Sequence, residues 1–325
     1  AQAYVISCLA RETQHPIVHI VPQDKDATSL AALCQFFCPE LPVYYLPAWD
    51  TLPYDRVSPA SAILSQRLAT LGQLATLPAS TPYILLTTLN AASQKLPPKQ
   101  VIAAANFRIE KKVTLNRDAF IEFLTANGYQ RASKVMEAGE YAVRGSLMDV
   151  FPAGAEEAIR IDLFGDEVES LKRFDPLTQL SAQTLDSITL RPVSEVLLHA
   201  KTIDCFRANY RELFGAVTKE DPLYEAISAG RNYAGMEHWL PLFYERMDTL
   251  ADYTPGAIVS EDYRIAALYE ERTADITDYY EARIAHQHAK DGVNYHPIPP
   301  EKLFLKPAIF DAVFQHHSRI ELTAF

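Results

Sequence analysis

No glycine precedes Cys34 in this chain, and the pattern G-x-x-x-x-G-K-[ST] occurs nowhere in it. Those glycines let backbone N–H groups close on phosphates, and the lysine neutralises them. The opening run AQAYVISCLARE also lacks a Lys-Ser/Thr pair at its start. An ATP-hydrolysing site is therefore not expected, nor is a bound cofactor. Basic charge is scarce as well: 30 Lys and Arg against 41 Asp and Glu leave a formal net charge of −11. A grip on a nucleic-acid backbone needs clustered cations to displace counterions, so this composition argues against one. No apolar run is long enough to span a bilayer, and the start lacks the basic and apolar regions of a signal peptide. Cysteine is sparse. Cys34 and Cys38 stand four apart on an expected helix, with no second pair to complete a zinc site, so no metal is expected. Together with Cys8 and Cys205 they read as thiols in a reducing compartment, the cytoplasm.

What is present is ordinary globular material: 325 residues, 48% hydrophobic, enough for two or three domains. Residues 1–105 alternate helix-like and strand-like pieces. Ala1 to Thr13 and Ser29 to Phe37 read as helices; Pro16 to Val21, Val43 to Leu46 and Tyr83 to Thr88 read as short buried strands. Between them runs a Pro-bounded turn, Pro47 to Asp55, in which Trp49 and Tyr54 read as a core plug. Ser58 is expected to cap a helix with Pro59 at its first position, and Leu64, Leu68, Leu71 and Ala75 share one stripe of it. Apolar strands separated by helices predict a parallel α/β sheet covered on both faces.

From Asn106 the pattern changes. FRIEKKVTL alternates like an edge strand, and Asn116 should cap a helix in which Phe120, Phe123 and Leu124 share a face. Asn127 and Gly128 end that helix through a left-handed turn. Leu185 to Leu190 reads as the last strand of an α+β domain over residues 106–192. Beyond it helices are expected at Ile203 to Phe214 and from Asp262 to about His288, with a strand at Ala257 to Val259 and a core or docking segment, GMEHWLPLFY, at 235–244. The chain begins at Ala1 without Met and stops just after the β-like run RIELTAF, as a piece of something longer would.

The middle domain centres on residues 139–179, which read as at least three short strands broken at Pro152 to Gly154 and reversed at Gly165 and Asp166. Neighbours on a strand point to opposite faces. Over Ile159 to Phe164 this puts Ile159, Ile161 and Leu163 on a core face, and Arg160, Asp162 and Phe164 on the other. Two readings of Phe164 stand: a helix or second sheet covers that face too, or the ring is a protein-binding anchor beside an arginine. Arg144 reaches the same surface if its run pairs with this one. Elsewhere the polar residues are unremarkable for chemistry. His286 and His288, and the pair His316 and His317, have no chelating spacing and read as surface residues. Asp149, Asp162 and Asp175 read as solvated or capping. No nucleophile stands in a strand–turn–helix elbow, so no catalytic residue is expected.

Two stretches carry a resemblance. LPAWDTLPYDRVSPASAILSQRLATL, ending at Leu71, and GEYAVRGSLMDVFP with RIDLFGDEVESLKRFDPLTQ, ending at Gln179, resemble the N-terminal region of the bacterial transcription-repair coupling factors. The second block is also similar to the excision-repair helicase UvrB. The resemblance implies a degenerate RecA-like (P-loop NTPase-like) α/β domain built from the outer segments 1–105 and 193–325, with a small α+β domain inserted at 106–192. It implies a non-catalytic adaptor that binds UvrA through the inserted domain, at Arg144, Arg160 and Phe164. RNA polymerase, DNA and ATP would be engaged by other domains of the full-length protein, and no membrane is involved. After Thr88 the chain departs from UvrB, lacking its Y-G-L-G turn and long aromatic hairpin. The rival reading is a helicase-like nucleotide- or DNA-binding module of the UvrB type.

Overall fold

The computed structural model describes residues 1–217, 221–287 and 295–323. Two compact units emerge. The first comprises Ala1–Ser58, Gln73–Lys99 and Glu245–Phe325, and the second Pro59–Gly72 and Gln100–Tyr244.

The first unit is built on a five-stranded sheet in the order Ser318–Leu322, Ile258–Asp262, Ile17–Val21, Ile84–Thr88, Val43–Leu46. Every neighbouring pair is parallel. The central strand is IVHIV, buried along its whole length, as a strand covered on both faces must be. The helices Gln2–Thr13 and Asp24–Phe37 close one face, burying Ala3, Ile6, Ala10, Ala27 and Cys34 against Ile17, Val21, Ile84 and Leu86. The expected α/β class, a parallel sheet with a separate small sheet domain, is what the structure shows.

Local departures have local causes. The second helix begins at Asp24, not Ser29. Asp24 and Asp26 occupy its first turn, where carboxylates complement the positive end of the helix dipole. The long helix runs Ile265–Gln287 and begins after Asp262, which stays in its strand and receives Arg264 at 2.8 and 3.0 Å. The expected end of that helix at His288 lies outside the described residues. Tyr54 is buried in the Pro-bounded turn and donates to the Ile298 carbonyl at 3.0 Å, the plug role read from its sequence. His19, inside the central strand, meets Ser260 Oγ at 2.8 Å; burial lowers its pKa to about 4, so it is neutral at pH 7.

Cys34 and Cys38 are both buried. Burial pushes the Cys34 thiol up to about 11, so at pH 8 only about one Cys34 in a thousand is thiolate. In the native protein a thiol reagent at pH 8 should label half-buried Cys8 and Cys205 well before Cys34. Peptide mapping of the labelled sites checks this; equal rates at all three would contradict it.

The second unit holds a six-stranded sheet in the order Ser181–Leu185, Glu167–Phe174, Ala158–Phe164, Leu147–Val150, Glu140–Arg144, Gln130–Arg131. The pairs are antiparallel except the last, which is parallel. A second, two-stranded sheet joins Phe107–Glu110 to Ser187–Leu190. The helix Arg117–Ala126 is capped by Asn116, whose side chain accepts the Ala119 N–H at 2.9 Å. It packs Phe120 and Leu124 against Met148, Val150, Ile161 and Leu171 on one face of the large sheet.

The run Leu185 to Leu190 is two strands rather than one. Ser181–Leu185 pairs with Glu167–Phe174, Ser187–Leu190 pairs with Phe107–Glu110, and the chain changes sheets at Asp186. The helix carrying Leu64, Leu68 and Leu71 spans Ser61–Thr76, later than a Ser58 cap implies. The Ala60 carbonyl accepts the Leu64 N–H at 3.0 Å, so the first helical turn forms beyond Pro59. The helix Ala200–Phe214 begins before Ile203, because the Thr202 hydroxyl accepts the His199 N–H at 3.0 Å and so satisfies a backbone donor at the helix start. GMEHWLPLFY folds as a buried 3₁₀ segment, Met236–Leu242, and belongs to the core.

Gly128 adopts φ +91°, and a Cβ there would lie 2.4 Å from the Ser194 Cβ. Gly128→Ala combines left-handed backbone strain with that clash. It should destabilise the protein by more than about 1 kcal/mol in urea unfolding; an unchanged midpoint would contradict the geometry.

Candidate protein-binding face

Three adjacent antiparallel strands place the expected site residues together, all within the second unit. Asp149 stands opposite Arg160, which in turn stands opposite Lys172; on the other side Ala142 faces Asp149. These four therefore form one row across the sheet, on the face away from the helix Arg117–Ala126. Arg144 lies two residues beyond Ala142, on the same face of its strand.

The two arginines converge on one carboxylate. Arg160 is bidentate on Asp149, with Nε to Oδ1 at 2.8 Å and Nη2 to Oδ2 at 2.9 Å. Arg144 Nη2 donates to the same Oδ2 at 3.0 Å. Asp149 is 2% exposed, whereas the Arg160 and Arg144 side chains are 20% and 50% exposed. Arg160 is further fixed by Gln179 Oε1 at 3.2 Å and by stacking 4.4 Å over the Phe174 ring. The Asp149 hydrogen bonds raise the Arg160 pKa above its ordinary value, so its charge is permanent. Asp149 was expected to be solvated or a cap. It is neither, because the sheet around it excludes water and two cations replace its hydration.

A small second core covers one end of this face: Val135, Ala142, Phe151, Ala158 and Phe174. The cover stops short of Phe164, which ends its strand before the turn at Gly165 (φ +61°) and is 79% exposed. The face is therefore roofed beside Phe174 and open at Phe164, so the reading in which a helix or second sheet covers the Phe164 ring does not hold. Ile159, Ile161 and Leu163 are buried on the opposite side, as alternation requires.

Sequence reasoning singled out Arg144, Arg160 and Phe164 and missed the residues that hold the arginines: Asp149, Phe174 and Gln179. The signal for Asp149 was present in the hairpin E-Y-A-V-R-G-S-L-M-D. Reversal at Gly145 and Ser146 pairs Arg144 with Leu147 and therefore Ala142 with Asp149.

The other titratable candidates are structural. Asp175 caps a turn, accepting the Leu177 and Thr178 N–H groups at 2.7 and 3.1 Å. His317 is not a plain surface residue: its Nε2 donates to the Thr254 carbonyl at 3.0 Å and its ring meets Phe314 edge-on. His316 is exposed, and the side chains of His286 and His288 lie outside the described residues. Among the described residues no group of three or more His, Cys, Asp or Glu is placed to hold a metal ion, and no helix is long and apolar enough to cross a membrane.

Residues 107–196 match the family described as the UvrB interaction domain, which contains every residue of the face. The chain is 33% identical over 325 residues, its whole length, to the transcription-repair-coupling factor of Haemophilus influenzae. It is 35% identical over 257 residues, 79% of the chain, to that of Escherichia coli, and 32% over 301 residues, 93% of the chain, to that of Rickettsia bellii. The matches span 28%, 22% and 27% of those three relatives, so the chain corresponds to about a quarter of their length. Similarity that runs from end to end, around an interaction domain of this kind, leaves one conclusion: the chain belongs to the transcription-repair-coupling factor family, as its UvrB-homology module.

Proposed function

We propose that this chain is a non-catalytic adaptor of transcription-coupled nucleotide excision repair, docking on UvrA through the face that carries Arg144, Arg160 and Phe164. In the full-length relatives, other domains would engage RNA polymerase and DNA and use ATP, and this module would bring UvrA to the stalled polymerase.

One observation carries the reading. An almost fully exposed phenylalanine shares a sheet face with two ordered guanidinium groups, inside the segment that matches the UvrB interaction domain. An aromatic ring flanked by arginine is the composition of an interface anchor. Guanidinium forks suit carboxylates or clustered carbonyls on the partner.

Purified UvrA titrated against the chain tests this. Saturable binding that Arg144→Ala, Arg160→Ala and Phe164→Ala each weaken supports the adaptor; wild-type affinity in all three variants removes the site. Fluorescent ATP and duplex DNA are the counter-probes. Micromolar ATP affinity, or DNA binding with a steep salt slope, would favour the helicase-like rival instead.

A further inference from the structure

We infer that Asp149 is a positioning residue of this docking face: its buried carboxylate holds Arg144 and Arg160 in one fixed pair whose remaining N–H donors are left to the partner. The inference rests on the adaptor reading above and adds a residue that does not itself touch the partner.

The argument is an accounting of donors. Arg160 spends Nε on Asp149 and Nη2 on Asp149 and Gln179. Its Nη1 has no partner among the described residues and is not among the buried unsatisfied atoms, so it faces water. Arg144 spends only Nη2, and its Nε and Nη1 have no partner among the described residues. One buried anion thus anchors two cations by their inner edges and leaves their outer edges unspent. A free arginine side chain samples many rotamers, and ordering it on binding opposes association. Here much of that ordering is done before the partner arrives, by a residue too deep to be contacted.

The decisive variant is Asp149→Asn, which keeps size and one acceptor and removes the charge. Three quantities are read on the intact chain: UvrA affinity, the Arg160 Nε–H resonance by NMR, and the backbone amide spectrum of the sheet. The expected result is roughly a tenfold weaker Kd. The Arg160 Nε–H should lose its protection from exchange, while the sheet amides stay in place. In an Arg144→Ala, Arg160→Ala background the same substitution should leave residual affinity unchanged, because there is nothing left to position. A merely structural role would lower affinity equally in both backgrounds, and that outcome overturns the inference. So does a freed Arg160 Nε–H with wild-type affinity. If both single arginine variants bind like wild type, the adaptor site itself has failed, which is a different result.

Should Asp149→Asn not fold, Gln179→Asn serves in its place. It shortens the other side chain that holds Arg160 and suits the left-handed backbone at that position, φ 63°. Roughly threefold weaker binding is expected, and unchanged affinity overturns the inference.

Discussion

Phe164→Ala should lower the affinity of the chain for UvrA by roughly thirtyfold, about 2 kcal/mol, and leave its melting temperature where it was. The two halves of that result come from the same number. A ring that is 79% exposed contributes little to the folded state, so its removal belongs with surface substitutions, within about 0.5 kcal/mol of neutral. The same exposure means that docking would bury the ring from nearly bare, which is where an aromatic anchor gains most. Arg160→Ala is a less clean experiment, because it strips Asp149 of a bidentate partner in a site that is 2% exposed. That variant should lose both affinity and stability, and only the former bears on docking. Titration calorimetry with a parallel thermal melt separates the two. A Phe164→Ala chain that binds like wild type, or one that melts several degrees lower, would contradict the account of this residue.

Glu195→Ala should be the most destabilising single change, by about 3–5 kcal/mol. Glu195 Oε1 receives Arg67 Nε in an ion pair with neither side chain exposed, inside the second unit. Removing the carboxylate takes this counter-charge from a fully buried guanidinium. The loss is comparable to much of a domain's net stability, which is only about 5–15 kcal/mol. Replacing both partners by apolar residues of similar size, as in Arg67→Met with Glu195→Leu, should be far milder, because both buried charges are then removed together. Urea unfolding of the single and double variants gives the comparison. A single variant within about 1 kcal/mol of wild type would show that water reaches the pair.

The residues of the proposed docking face were legible because they obey a short-range rule. Alternation along Ile159 to Phe164 assigns each side chain to a face without any knowledge of neighbours, and the burial pattern follows it. The parallel sheet was legible for a similar reason: IVHIV, VYYL and ILLTT are short, mostly apolar runs without the regular polar alternation of a half-exposed strand. What stayed hidden depends on register or on distance along the chain. Asp149 meets Arg160 only because two hairpins place their strands level, and its own surroundings in sequence are those of an ordinary strand-end carboxylate. The Arg67 and Glu195 pair joins positions 128 residues apart, with nothing local at either to announce it. The switch of sheets at Asp186 is equally silent, since two short strands in line have the same pattern as one. Local rules therefore found the residues that a partner would touch, and tertiary register supplied those that hold them.

Site-specific photocrosslinking puts the central claim to its most direct test. With p-benzoylphenylalanine in place of Phe164, irradiation in the presence of UvrA should give a covalent adduct. The same group in place of Tyr263, an exposed aromatic of the other unit, should give none. Crosslinking from position 263 alone, or from neither position at concentrations where the complex forms, would contradict docking through this face.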